Sequence, residues 1–179
     1  MAHGDTVDVP ETVFIADPNT QLCSVIRGLM MKLGALETVT AANSERAKAH
    51  LQESLPDLIV CGYGLPPDGG PNFVRYLRRM AGPVSETPII MVIANPNAKM
   101  VGQARDAGVD EVLGLPLNGD GLAKRWHNIV HKRRPFVRCE VYVGPCRRRI
   151  TAEWYVGPDR RQGADSRGGA RRARQKVDA

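Results

Sequence analysis

Residues Pro56–Phe73 read PDLIVCGYGLPPDGGPNF, and this stretch decides the fold. Asp57-Leu-Ile-Val-Cys61 is a short apolar run rich in branched residues, followed at once by Gly62, Gly64, Pro66, Pro67, Gly69 and Gly70. A run of this kind bounded by turn formers predicts a buried strand that ends in a loop. Glycine admits positive φ and proline fixes φ, so the loop has a defined shape and is no slack linker. Ligand and reaction sites of open α/β sheets gather at the carboxyl ends of strands, which makes this loop the first place to look for chemistry. Position 62, at the strand end, carries no side chain that could react.

Working outward, Thr12–Ala16 reads as a first strand, and Asp17-Pro18-Asn19 as a turn whose Asn19 caps a helix. Leu22, Val25, Ile26, Leu29 and Met30 recur at helical spacing up to Gly34. Glu37–Ala41 is a second strand, and Ser44 caps a helix running through Gln52. After the strand Asp57–Cys61, a helix from Asn72 to Met80 turns Phe73, Tyr76 and Leu77 inward. Pro88–Ile93 is a fourth strand, Ala98–Ala107 a helix closed by Gly108, and Glu111–Leu115 a short fifth strand. Leu122, Trp126 and Ile129 mark a last helix. Five strands alternating with five helices over short connections require right-handed crossovers, so a parallel sheet in a three-layer α/β/α sandwich follows.

At 179 residues, with 42% apolar content, the chain accommodates one ordinary domain and an appendage. Its net charge of +6 is uneven: residues 1–131 carry −3 and residues 132–179 carry +9. The expected organisation is an N-terminal tail over 1–10, a domain over 11–132 and a basic, largely disordered extension over 133–179. No apolar run approaches the roughly 18 residues of a membrane span, and MAHGDTVDVPET lacks the parts of a signal peptide. A cytoplasmic location is expected. Cys23, Cys61, Cys139 and Cys146 form no CxxC, and their spread suits reduced thiols, with Cys23 and Cys61 read as small core residues.

The order of elements, together with VFIADPN after the first strand, PDLIVCGYGLPPDGG around the third, TPIIMVIA at the fourth and AGVDEVLGLP before the fifth, resembles the receiver domains of two-component response regulators. The resemblance covers roughly Thr12 to His131. It implies a flavodoxin-like, five-stranded parallel sheet in the order 2-1-3-4-5. It also implies a pocket, and here the residues depart from the family. An acidic pair after the first strand holds Mg²⁺ in receivers; the matching pair is Ala16-Asp17. Gly62 stands at the phosphoacceptor aspartate, Ile93 at the Ser/Thr after the fourth strand, Leu115 at the Lys before Pro116, and Val112 at the switch aromatic.

Phosphoryl transfer to protein needs a carboxylate nucleophile, a metal held by further oxygens, and cations for the developing charge. Gly62, Ile93 and Leu115 supply none of these. Asp68 lies in the PPDGG loop beyond the strand end and lacks a partner Lys, which disfavours it as a substitute acceptor. Asp17 reads as a residue that orders its turn, since one carboxylate is a poor site for a hard cation. No Ser/His/Asp order, P-loop, dinucleotide fingerprint or paired-acid site occurs, so no enzyme and no cofactor are expected. The expectation is a phosphorylation-independent pseudo-receiver that presents a docking surface. In typical receivers the fourth helix, fifth strand and fifth helix meet partners; the matching polar residues are Lys99, Gln103, Arg105, Lys124, Arg125 and Asn128. His127 and His131 share a helical face without a carboxylate or Cys to complete a metal set.

The tail holds a repeat: Tyr142-Val-Gly-Pro-Cys-Arg-Arg148 returns 13 residues later as Tyr155-Val-Gly-Pro-Asp-Arg-Arg161. Gly-Pro forces a turn, and tyrosine sets an aromatic face beside guanidinium groups, a combination suited to acidic or phosphate-bearing partners. Beyond Gln162 almost no apolar residue remains, and disorder in the free chain is expected. Three readings follow. The repeat docks on a signalling protein such as a histidine kinase, motor or polarity component. Alternatively, it resembles the arginine-rich extension of receiver-like cyclic-di-GMP effectors, with Arg147, Arg148, Arg149, Arg160 and Arg161 on phosphates and Tyr142, Trp154 or Tyr155 stacked on guanine. Least favoured is non-specific nucleic-acid binding, because no helix-turn-helix, winged-helix or RNA-binding signature accompanies the basic arm.

Overall fold

The computed structural model describes residues 9–147. The chain divides into two units, Met1–Arg149 and Ile150–Ala179, and the described residues belong to the first. Five strands, β1 (Thr12–Ala16), β2 (Glu37–Ala41), β3 (Leu58–Gly62), β4 (Ile89–Ile93) and β5 (Glu111–Gly114), form one parallel sheet in the order β2-β1-β3-β4-β5. The helices are α1 (Thr20–Leu33), α2 (Ser44–Glu53), α3 (Gly70–Arg79), α4 (Ala98–Ala107) and α5 (Gly119–His131). This is the flavodoxin-like arrangement expected from the sequence.

The central strands LIVCG and IIMVI are buried at every position because helices cover both faces of the sheet, which is why they read as continuous apolar runs. Alternate side chains along each strand enter opposite cores. Phe14, Ile59, Cys61, Met91 and Ile93 pack with Phe73 and Leu77 on one face; Ile15, Val60, Ile90 and Val92 pack with Ile26, Met30 and Trp126 on the other. The cysteine expectation holds, since Cys23 and Cys61 are both buried and free.

Helix starts follow one device. Asn19, Asn43, Asn97 and Asn118 each accept a hydrogen bond from the backbone N–H three residues on, and α1 and α4 end in left-handed Gly34 and Gly108. The α2 cap is therefore Asn43, and the expected cap Ser44 is the first helical residue, buried with its Oγ unpaired. In α3, Phe73 and Leu77 face inward as expected, but Tyr76 is 38% exposed and lies under the Lys48 ammonium at 4.8 Å. The inward place one turn on from buried Val74 belongs to Arg78.

Arg78 is 1% exposed and every nitrogen is used. Its Nε donates to the Gly108 carbonyl at 2.8 Å, its Nη1 to the Ser85 and Thr87 carbonyls at 2.8 Å each, and its Nη2 to Asp110 at 2.7 Å. The same Asp110 oxygen accepts the Ile89 N–H at 2.9 Å, where β4 begins. Burial pulls the guanidinium pKa down and pushes the carboxyl up, and mutual attraction opposes both. Saturated hydrogen bonding is what makes a buried pair of this kind tolerable.

Past α5 the chain makes an antiparallel hairpin, β6 (Phe136–Cys139) and β7 (Tyr142–Pro145). The hairpin belongs to the same unit, so the fold continues through a boundary placed at 132 from sequence. Strand β7 packs on α3 and α4. A Cβ placed on Gly144 would lie 2.8 Å from the Gly108 Cα, and one on Gly108 would lie 2.8 Å from the Val143 carbonyl oxygen. Both residues have positive φ, so glycine is required twice over at this crossing. Arg134 donates to the Val109 and Cys146 carbonyls at 3.3 and 3.0 Å, and Arg138 pairs with Glu86 at 2.9 Å.

Arg78→Ala strands the Asp110 carboxylate and three carbonyls in the core. A loss of about 3–5 kcal/mol in urea unfolding is expected; a loss under about 1 kcal/mol, the scale of an exposed pair, would show that the pair is dispensable.

Candidate functional site

The four pocket positions named from sequence come together at the carboxyl ends of neighbouring strands. Asp17 follows β1, Gly62 closes β3, Ile93 closes β4 and Leu115 follows β5. The sheet register ties them: Ala16 sits opposite Cys61, Gly62 opposite Val92, and Ile93 opposite Gly114. The Leu115 N–H donates to the Ile93 carbonyl at 3.2 Å, and the Leu115–Pro116 bond is cis.

Asp17 is positioned by its own turn. Its backbone N–H donates to the Ala41 carbonyl at 3.0 Å, and its Oδ1 accepts the Asn19 N–H at 2.7 Å. That leaves Oδ2 over Gly62, in the space a Cβ there would enter. Gly70, the first residue of α3, is seated against the Gly62 carbonyl so closely that its own Cβ would collide with that oxygen. The Gly70 N–H donates to the Tyr63 carbonyl at 2.8 Å, and Tyr63 in turn donates its N–H to Val92 at 2.9 Å. The Tyr63 hydroxyl reaches Gln103 on α4. The loop after β3 is thus pinned to β4, α3 and α4.

Electrostatically the site is poor. Ile93 is fully buried in hydrocarbon, and Leu115 is 37% exposed with nothing ionic to offer. Partial burial pushes the Asp17 carboxyl above its usual range, against the opposing pull of the Asn19 N–H. Burial also pushes the Cys61 thiol up, with the Asp17 charge adding to it, so the thiol stays protonated. The donor set does not fit the Mg²⁺ that the resemblance implies. One carboxylate, already engaged by an amide, and the hydrocarbon side chain of Ala16 do not supply the oxygens a hard octahedral cation needs.

The remaining candidates lie elsewhere. Asp68 does find a lysine, but it is Lys48 of α2, at 3.4 Å on the surface. The His127 and His131 rings touch at 4.3 Å on the exposed face of α5. Among the described residues no group of three His, Cys, Asp or Glu side chains is placed to hold a metal, and no helix is long and apolar enough to cross a membrane. A cleft of about 600 Å³ lies at the opposite, amino end of the strands, lined by Pro10, Leu55, Pro56, Glu86, Pro88, Trp126 and Arg133 among others.

In the first copy of the tail repeat, Tyr142 is 7% exposed and donates its hydroxyl to the Pro145 carbonyl at 2.6 Å. The Arg147 guanidinium lies 4.4 Å from its ring centroid and pairs with Asp106 at 3.1 Å. Arg148, Arg149, Trp154, Tyr155, Arg160 and Arg161 lie outside the described residues.

If the Asp17 carboxylate and a Gly62 side chain compete for one space, their substitutions are coupled. Gly62→Ala is expected to cost about 1 kcal/mol alone and to be neutral or stabilising in the Asp17→Ala background, where alanine suits a strand better than glycine. Additive losses in a double-mutant cycle by urea unfolding would contradict this.

Comparison with known proteins agrees with this fold. Residues 13–127 match the response regulator receiver domain. The chain is 26% identical over 127 residues to the phosphate regulon transcriptional regulatory protein PhoB of Pseudomonas aeruginosa, covering 71% of this chain and 55% of that protein. It is 28% identical over 95 residues to the transcriptional regulatory protein KdpE of Staphylococcus aureus, covering 53% and 39%. The chain thus spans about half the length, or less, of these curated relatives. The crystal structure of the chemotaxis response regulator CheY4 of Vibrio cholerae superposes with a TM-score of 0.61 at 23% identity, covering 66% of this chain and 97% of that one, a likeness of fold. With the family match covering well over half of its residues, the chain belongs to the response regulator receiver family of two-component signalling.

Proposed function

We propose that this receiver works without aspartyl phosphate, as a protein-interaction module in two-component signalling. One observation carries the reading. The end of β3 has no nucleophile, and the space above it is taken by the chain's own Asp17 carboxylate. Ile93 and Leu115 add hydrocarbon where a transferring phosphoryl group would need a hydrogen bond and a cation.

Without a phosphorylation switch, what the domain offers is a fixed surface and the basic extension that follows. A signalling protein such as a histidine kinase, motor or polarity component fits that role. The first repeat speaks less for the cyclic-di-GMP reading: Tyr142 is buried beneath Arg147, and Arg147 is held by Asp106, so neither is poised to grip a nucleotide. Nucleic-acid binding finds no groove-reading element among the described residues.

Incubation with acetyl phosphate and Mg²⁺ is expected to leave the intact mass unchanged. The single variant Gly62→Asp is expected to remain unlabelled as well, since Ile93 and Leu115 are still apolar and the new side chain must displace Asp17. A phosphoryl adduct mapped to residues 57–70 of the natural chain, or rapid labelling of the single variant, would overturn the reading.

A further inference from the structure

The hairpin creates a feature that neither α3 nor the tail would have alone. Between α3 and β7 lies a small cleft lined by Arg75, Arg79, Asp106 and the stretch Val141–Val143, with Arg78 buried in its floor. We propose that this cleft docks an acidic peptide segment of a partner protein. The proposal rests on the interaction-module reading above and names the surface and the chemistry of what binds there.

The charge balance at the cleft is one-sided. Arg75 and Arg79 stand one turn apart on one face of α3, the spacing at which side chains are neighbours. Arg75 is engaged only through Asn72, at 2.8 Å, and Arg79 has no acidic partner among the described residues. Asp106, the acid at the rim, already pairs with Arg105 at 3.4 Å and Arg147 at 3.1 Å. Asp110 is committed to Arg78. The carbonyl end of α3 favours a cation at Arg79, but that effect fades within the last turn and leaves Arg75, one turn earlier, unexplained. Two guanidinium forks with no carboxylate to meet among the described residues match the side chains of Asp and Glu.

Size separates the candidate occupants. The cleft holds about 70 Å³, far below the roughly 300–1,000 Å³ of small-molecule pockets. Its size suits a carboxylate group better than a nucleobase. Beside it, Val141 at the hairpin tip is 82% exposed and offers an apolar contact to a residue flanking the acid. An acidic peptide with neighbouring apolar residues meets both features; a cyclic dinucleotide meets only the charge.

The test is a titration of the ¹⁵N-labelled full-length chain with an octa-glutamate peptide, followed through backbone amides and arginine Nε–H signals. Saturable shifts are expected at Arg75, Arg79 and Val141–Val143, and the Arg75→Gln/Arg79→Gln variant is expected to bind about fivefold more weakly at this site, the scale of two exposed ion pairs. Shifts confined to residues 148–179, shifts at the cleft that survive the double variant, or tighter binding of inorganic phosphate or cyclic-di-GMP at the same resonances would each overturn the proposal. Phosphoryl labelling is measured separately, so a silent cleft would leave the account of the strand ends standing.

Discussion

The carboxyl end of β3 depends on a side chain that is missing. With no Cβ at Gly62, the Asp17 carboxylate leans into the vacated space and Gly70 brings the first turn of α3 onto the strand's last carbonyl. Hydrogen bonds then fix what the close approach permits, as Asp17 is held by Ala41 and Asn19, and Tyr63 by Val92 and Gly70. In a receiver that carries phosphate this spot must stay open to metal and phosphoryl oxygen. Here the same spot is part of the packing.

A second constraint sets the extent of the domain. Arg78 needs four acceptors from segments far apart in sequence, and it finds them in the Ser85–Thr87 turn, Gly108 and Asp110. The hairpin closes over this centre, with Phe136 stacked 5.6 Å from the guanidinium and Gly144 set against Gly108. The C-terminal residues through 147 are thereby structural, and the first tail repeat serves the fold before it serves any partner. Its tyrosine is core and its Arg147 pairs with Asp106 at the surface, which shifts the search for recognition towards α3 and the edge of the hairpin.

Much of this was legible in the sequence because its physics is local. LIVCG and IIMVI are short branched runs between turn formers, Gly34 and Gly108 punctuate helices, and the vacancies at Gly62, Ile93 and Leu115 need only the strand ends to be placed. What escaped depends on distant partners. An arginine in the last turn of a helix looks like a solvated cation suited to the helix dipole, and only the folded chain brings Asp110 to Arg78. Tyr76 fits the inward periodicity of α3, yet Arg78 takes a buried place two residues on, and Tyr76 turns to Lys48. Tyr142 reads as an exposed aromatic beside arginines, and its burial follows from a close approach of two glycines 36 positions apart, Gly108 and Gly144.

The claim on which the rest turns is that the strand ends cannot hold a tetrahedral anion on a carboxylate. Beryllofluoride with Mg²⁺ forms such a mimic on acceptor aspartates and reports it directly by ¹⁹F NMR. The account predicts only the free-ligand signal and unmoved amides at Asp17, Gly62, Ile93 and Leu115. A bound ¹⁹F signal with saturable shifts at those four residues would contradict it.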